Sequence, residues 1–411
     1  MSAAGMISVA EALGRVLASA PRPVGTETVA LEAALGRTLA HDLHALRTQP
    51  PFANSAMDGY ALRAADTRDS PARLRVIGES AAGRAFPGAL GPGEAVRIFT
   101  GAPMPAGADA VLIQENATRE GDFVVARSIE TPGHNVRDAG IDFVEAEPLL
   151  TAGRRLTPRD LALAAAANHA RLAVRPRPRV AVLATGDELV APGAALGPAQ
   201  IVASNNYAIA GIVAANGGEP VDLGIAADQM GALAHSFRRA REVEADVLVT
   251  LGGASVGDYD LVQQALVDAG LELGFWRIAM RPGKPLMQGR LGAMRVLGLP
   301  GNPVSSVVCA ILFLAPLLRA MVGDPLAGAD ASEPAVLGAE VGPNDLRQDY
   351  LRARLTRESD GVLIATPFAN QDSSLVKILA RAQCLVIRAP RAAAAERGEA
   401  CRILRLEGSG S

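Results

Sequence analysis

Between residues 177 and 327, continuous apolar strands alternate with helical segments, and that alternation leaves few folds open. RPRVAVLAT leads into a helix over about 205–215, EPVDLGI into a helix after Asp228, and ADVLVTL into a helix over about 259–269. The strands LGFWRIAM and AMRVLGL follow, and NPVSSVVCAILFLAPLLRAM closes the segment as a helix. Strands that are apolar throughout need cover on both faces. The pattern therefore predicts a doubly wound, mostly parallel α/β sheet.

In such sheets ligands bind at the carboxyl ends of the strands. Here those ends read Thr185-Gly186-Asp187-Glu188, then Asp228, then Gly252-Gly253-Ala254-Ser255 on to Asp260. Arg281-Pro282-Gly283-Lys284 and Pro300-Gly301-Asn302-Pro303 follow, the latter at a helix start. One rim thus collects glycine-rich backbone, several carboxylates and two cations. Glycines let N–H groups approach an anion closely, and a helix N-terminus adds positive potential. Carboxylates beside a phosphate make sense if they hold a divalent cation such as Mg²⁺. Taken singly, each motif also reads as a tight loop, a helix cap, a rigid turn or a solvated hairpin. Their conjunction on one rim favours a site for a phosphate-bearing ligand.

The flanks differ in texture. Ser8 and Glu11 form an S-x-x-E capping signature ahead of a short N-terminal helix, and ETVALEAALGR at 27–37 reads as a strand running into a helix. From about 46 to 144, short apolar segments separated by Gly and Pro predict an all-β module with long loops. Residues 154–174 turn helical, with Thr157 as N-cap and Pro158 in the first turn. After about 327 the chain is β-like again.

Charge and cysteine content exclude several classes. Forty basic against forty-three acidic residues give a net charge of −3, which argues against a general nucleic-acid binder. The three cysteines form no CxxC pair, so a disulfide framework or zinc cluster is not expected, and free thiols fit a reducing cytoplasm. Cys309 lies on an apolar helix and reads as core. The apolar run Val307–Leu318 is short for a membrane span and reads as a buried helix. Only two lysines occur, Lys284 and Lys377, in a chain otherwise rich in arginine. A compact ammonium is not interchangeable with a guanidinium fork, so Lys284 at the rim stands out.

VLATGDELV, TLGGASVGDYDLV, IAMRPGKPLMQG and LGLPGNPVSS resemble, in that order, the core domain of molybdenum-cofactor proteins. That core alone would also match the smaller molybdopterin adenylyltransferases. Upstream, PPFANSAMDGYAL, IFTGAPMPAGADAVLIQE, HNVRDAGIDF and LTAGRRLTP are similar to the MoeA family, as are NDLRQDYLRARL and NQDSSLVKILARAQCLVI downstream. The resemblance runs from about residue 6 to 405. One departure is that Arg281-Pro-Gly-Lys284 stands where many relatives read K-P-G-K.

This resemblance implies a multidomain α/β plus β protein. Residues 1–45 would hold the N-terminal helix and the first part of a small linker domain, 46–144 a β-rich insertion module, and 145–176 the return of the linker domain. The doubly wound α/β core would span 177–327 and a C-terminal β domain 328–411. It implies a transferase that inserts molybdate into adenylylated molybdopterin with Mg²⁺-dependent release of AMP. Catalytic positions would be Asp58, Thr100, Glu188, Asp228, Asp260 and Lys284. Substrate-binding positions would be Arg137, Asp142, Gly252, Gly253, Ser255, Arg281, Pro300, Pro303 and Ser373, with Asp260, Glu188 and Asp228 as Mg²⁺ ligands. It further implies a cytoplasmic homodimer whose cleft is shared between subunits. Its partners would be molybdopterin adenylyltransferase and molybdoenzyme maturation proteins, with no nucleic acid or membrane involved. The competing readings are the adenylyltransferase itself and a non-enzymatic, gephyrin-like scaffold. The latter wants a second, fused core module and a long linker, and neither is seen.

Overall fold

The computed structural model describes residues 6–21, 25–252 and 261–406. The core sheet has six strands in the order Glu219–Ala226, Arg179–Thr185, Val247–Leu251, Met294–Leu299, Pro285–Leu291 and Glu272–Arg277. The first four run parallel, Pro285–Leu291 runs against both of its neighbours, and the last strand is therefore parallel to the first four. The antiparallel strand Pro285–Leu291 goes beyond the sequence expectation, which took its beginning for a loop. It is buried on both faces, with Leu286 in one apolar cluster and Met287 in the other.

Helices cover both sides. Asn205–Ala215 and the continuous helical run Pro303–Met321 pack on one face, Met230–Glu242 and Leu261–Asp268 on the other. Pro303–Met321 is long and apolar enough to cross a membrane by composition, yet it is two-thirds buried within the protein as the central helix of its layer. Pro316 has no N–H to donate to the preceding turn, and the helix widens into a π turn over Ala310–Leu314 just before it.

The N-terminal helix, Val9–Ser19, corrects one boundary. It was expected with the linker domain, but its buried stripe of Val9, Ala12 and Val16 packs into the core beside Leu314, Leu317 and Leu318. Ser8 caps it, accepting from the Glu11 N–H at 3.1 Å, while the Glu11 carboxylate turns forward to Arg15 instead of back to the cap.

The linker domain is assembled from two distant stretches. Glu27–Ala30 pairs antiparallel with Arg171–Val174, and Leu43–His44 with Pro148–Leu150, around Leu39, Leu43, Leu156 and Leu172. Both helical expectations here were too long. The segment after Ala30 makes a single 3₁₀ turn, Leu31–Ala33, and Gly36 adopts φ +70° shortly beyond it. The second helix, Pro158–Ala166, does start from a Thr157–Asp160 capping box, but it stops ahead of Asn168, which adopts φ +74° and lets the chain turn into a strand. Between these stretches lies a six-stranded sheet of residues 59–126, with Gly59–Leu62 one strand in from its edge, between Glu94–Ile98 and the edge strand Ala110–Ile113.

At the C-terminal end, five strands close on themselves: Gln348–Arg357, Leu363–Pro367, Glu333–Leu337, Ala400–Arg405 and Cys384–Arg388, the last pairing back onto the first. Closure removes free edges from the ring. The two-residue strand Met280–Arg281, from the core, adds in parallel beside Gln348 and Asp349. There Arg281 grips the buried Asp349 through Nε at 2.9 Å and a second, shorter contact, and it also reaches Asn344 and Asp345. Burial pushes the Asp349 carboxyl up although Arg281 pulls it down, whereas Asp349 holds the guanidinium above its ordinary value. The bidentate geometry identifies it as an ion pair, and the burial cost says its net value is small. Arg281→Met should then cost about 2–3 kcal/mol in denaturant unfolding, below the usual cost of orphaning a buried charge because Arg281 is half-exposed. Asp349→Asn should cost clearly less, because the amide can still accept from the fork. Equal costs would contradict this account.

Candidate functional site

Backbone packing builds the rim. Gly252 has φ +100°, and a Cβ there would lie 2.8 Å from the Thr185 carbonyl oxygen, so this approach of two strand ends requires glycine. The Gly252 N–H donates to the Leu299 carbonyl at 3.2 Å, and Asn205 Nδ2 donates to the Gly301 carbonyl at 2.7 Å. Pro300 is buried, and Pro303 occupies the first helical turn, where its missing N–H costs nothing. Asn302 Nδ2 donates to Ser373 Oγ at 3.1 Å, and the Val304 N–H donates to the Ser373 carbonyl at 3.1 Å. The terminal domain thus delivers Ser373 to the start of the core helix.

The loop that carries Ser373 is held from below by a residue that the sequence pattern does not single out. Arg352 is 1% exposed. Its Nε donates to Gln371 Oε1 at 3.2 Å, and another guanidinium nitrogen donates to the Asp372 carbonyl at 2.8 Å. The only signal for it is its place in DYLRARL, where an arginine interrupts an apolar alternation.

Carboxylates crowd one end of the rim. The Asp228 N–H donates to Asp187 Oδ1 at 3.1 Å, and the Glu188 carboxylate folds back over Gly186. Partial desolvation, then the charges of Asp187 and Glu188, push the Asp228 carboxyl above the usual range. Three like charges in mutual repulsion are the donor chemistry that a hard divalent cation relieves. Among the described residues no three ligand-type side chains close around a single point. Mg²⁺ commonly takes only one or two carboxylates plus substrate phosphates and water, so the trio fits such an ion without a preformed cage. Gly253, Ser255 and Asp260 lie outside the described residues.

At the other end, Lys284 is half-buried, and no side-chain hydrogen bond or ion pair engages it among the described residues. Arg281, three residues earlier, points its fork into the terminal domain. Gly283 is tight against the core, where a Cβ would lie 2.5 Å from Cys309 Sγ. Burial pushes that thiol far above its ordinary value, so Cys309 is packing.

A second group forms in the β module. Thr100 donates to Asp58 Oδ1 through its N–H at 2.7 Å and its hydroxyl at 2.8 Å, and these two bonds hold the carboxyl below its usual range. Arg97, above the Tyr60 and Phe99 rings, adds a smaller pull in the same direction. Val136–Arg137 pairs with Asn54–Ser55, which sets the exposed Arg137 in the strand beside the segment leading to Asp58. Asp142 sits on an exposed turn, its N–H donating to the Gln49 carbonyl at 3.1 Å. The structure therefore gathers Glu188, Asp228, Gly252, Pro300, Pro303 and Ser373 on one rim with Lys284 on its flanking loop, and Asp58, Thr100 and Arg137 in another region. Among the described residues no hydrogen bond or ion pair joins residues 46–144 to the core. A cavity of about 1200 Å³ between the N-terminal helix, Pro303–Met321 and the terminal barrel is lined mainly by apolar groups and does not include the rim.

A doubly wound core, with an inserted β module ahead of it in the chain and a closed β barrel after it, defines a multidomain α/β plus β protein. Family models match the chain in order: MoeA N-terminal region (domain I and II) over residues 7–168, probable molybdopterin binding domain over 181–320, and MoeA C-terminal region (domain IV) over 334–406. The chain is 38% identical over 371 residues to molybdopterin molybdenumtransferase 2 of Mycobacterium tuberculosis, covering 87% of this chain and 90% of that one. It is 33% identical to the molybdopterin molybdenumtransferase of Haemophilus influenzae, covering 93% and 94%. A crystal structure of the molybdopterin biosynthesis MoeA protein from Pyrococcus horikoshii superimposes with a TM-score of 0.83 at 27% identity, covering 98% of this chain and all of that one. This chain belongs to the MoeA family.

Proposed function

We propose that the chain is a molybdopterin molybdenumtransferase, which takes adenylylated molybdopterin and molybdate as substrates and releases AMP as molybdenum is inserted. The observation that carries this reading is the rim, with a helix start and glycine backbone along it, a repelling carboxylate trio at one end and at the other a lysine unengaged among the described residues, in a chain whose relatives bear that name. Lys284 would bind phosphate or molybdate as a point charge, and the Gly252 turn would let the ligand approach the backbone. Ser373 and Asn302 would line the position beside it. Mg²⁺, when bound, would neutralise the charge on the leaving phosphate, with Asp228, Glu188 and Asp260 as its holders. The Thr100 hydroxyl and N–H keep Asp58 ionised and oriented, leaving Oδ2 to accept from a ligand. Because Asp58 and Thr100 lie apart from the rim, we read the active unit as a homodimer with a shared cleft, working in the cytoplasm with an adenylyltransferase upstream and molybdoenzyme maturation proteins downstream.

The direct experiment supplies purified protein with adenylylated molybdopterin, Mg²⁺ and molybdate and measures AMP. Release that needs all three supports the reading; ATP consumption without AMP release from the activated pterin would replace it with the adenylyltransferase.

The carboxylate trio has its own consequence. The folded state holds the Asp228 proton more tightly than the unfolded chain does. Its contribution to stability is present below the ordinary carboxylate pKa and is lost as pH rises through the raised folded value. At neutral pH the ionised trio is a small cost. Asp187→Asn should therefore raise the melting temperature of metal-free protein at pH 7 by about 1–2 °C, while weakening Mg²⁺ binding severalfold. If neither quantity moves, the trio is not a cation site.

A further inference from the structure

The edge of the core sheet opposite the rim carries a second polar cleft. It measures about 410 Å³ and is walled by Ser19 and Ala20, at the end of the N-terminal helix, and by the three strands at one side of the sheet. Register sets Glu272 opposite Arg290, and Arg290 opposite Arg295. Glu272 satisfies Arg290 at 2.7 Å. Arg295 has no carboxylate partner among the described residues. Its Nε donates to the Ser19 carbonyl at 2.8 Å and a second nitrogen to the Ala293 carbonyl, and Asp246 faces it without forming an ion pair. Burial first, and then Arg290, disfavour its charged form. Like charges directly opposite on an antiparallel pair are destabilising, so this placement carries a cost that an anion would offset.

A second, independent observation lies two residues along the same strand. Gln288 is 7% exposed and lines the cleft on the face shared with Arg290, yet its carboxamide makes no hydrogen bond among the described residues. The glycine across from it makes the room: a Cβ at Gly274 would lie 2.1 Å from Gln288 Oε1. The Gln288 amide therefore opens on the cleft with its donors and acceptor available to an occupant.

We propose that this cleft binds a small molecule through its phosphate or carboxylate group, with Arg295 and Arg290 as the charged donors and the Gln288 carboxamide as the neutral one. With Asp246 facing Arg295 and Glu272 paired to Arg290, the group is near neutral, so an anion would be held by the directed guanidinium donors and not by excess charge. Five residues of strand separate it from the rim, about 17 Å, so it is distinct from the site above.

Calorimetric titration of the full chain tests this. The Lys284→Ala background silences the rim, and inorganic phosphate and acetate are titrated separately at constant ionic strength. At least one should bind, and the two arms tell phosphate from carboxylate. Arg295→Met should weaken that binding by about tenfold or more, and Glu272→Gln should tighten it severalfold by removing the competing carboxylate. No binding of either probe, or unchanged affinity in a folded Arg295→Met protein, overturns the proposal. Should Arg295→Met fail to fold, Gln288→Leu decides: its affinity must fall as well, and an unchanged value overturns the proposal.

Discussion

Lys284→Arg should lower AMP release by about a hundredfold while leaving the melting temperature within about 2 °C of wild type. The loop explains why so mild a change should matter. Gly283 is pressed against Cys309 and Pro285 opens a buried strand, so the backbone at Lys284 cannot shift to accommodate a longer head group. A guanidinium would place its charge farther out and spread it over a plane, where the ammonium offers a compact, rotatable set of donors. Electrostatic contacts aimed at developing charge are often the largest single contribution in such chemistry, and they are sensitive to position. The same loop shows the contrast: Arg281 uses its fork to clasp Asp349, a task the lysine would do poorly, and Lys284 has no such partner among the described residues. Wild-type turnover in Lys284→Arg would mean that the lysine is an accident of composition.

A larger rescue is expected from pairing two inactive proteins. Thr100→Ala removes the hydroxyl that helps hold Asp58, and Asp260→Asn removes a proposed Mg²⁺ ligand. Each should be inactive as a homodimer. If the β module of one subunit serves the rim of the other, a mixed dimer has one cleft with both defects and one with neither. Random pairing makes half the dimers mixed, and half of their sites whole, so co-expression should restore about a quarter of wild-type AMP release. If both residues serve one cleft within the same chain, every site keeps a defect. Absence of recovery, with mixed dimers demonstrated by differential tagging, would rule out the shared cleft. It would leave the assignment of Asp58 and Thr100 open to test within one subunit.

Much of the rim is legible in the residue order alone, because strand ends in a parallel sheet announce themselves. An apolar run stops, glycine or proline follows, and the next helix begins. Thr185-Gly186, Gly252 and Pro300-Gly301 stand out in this way, and the fold packs those three turns against one another. The trio of Asp187, Glu188 and Asp228 is visible as residues but not as a cluster, since about forty residues separate its members and only parallel pairing of their two strands brings them together. Arg352 and Asp349 pass unremarked for a related reason. A buried arginine or aspartate looks like a surface residue until the barrel closes over it, and the closure depends on the pairing of Cys384–Arg388 with Gln348–Arg357, which no local pattern announces.

By itself, then, the sequence determined the α/β core, the inserted β module, the glycine-rich turns and the family resemblance, because these depend on local periodicity, backbone conformation and contiguous motifs. Only the tertiary structure decided that the N-terminal helix joins the core, that Pro285–Leu291 runs antiparallel within an otherwise parallel sheet, that Arg281 ties the core to the barrel while Lys284 stays unengaged among the described residues, and that Arg290 and Arg295 face one another beside a glutamine whose amide has no partner among those residues. Each of these follows from contacts between segments distant in the chain. Their energies come from burial and charge pairing in three dimensions, to which the order of residues along the chain gives no direct access.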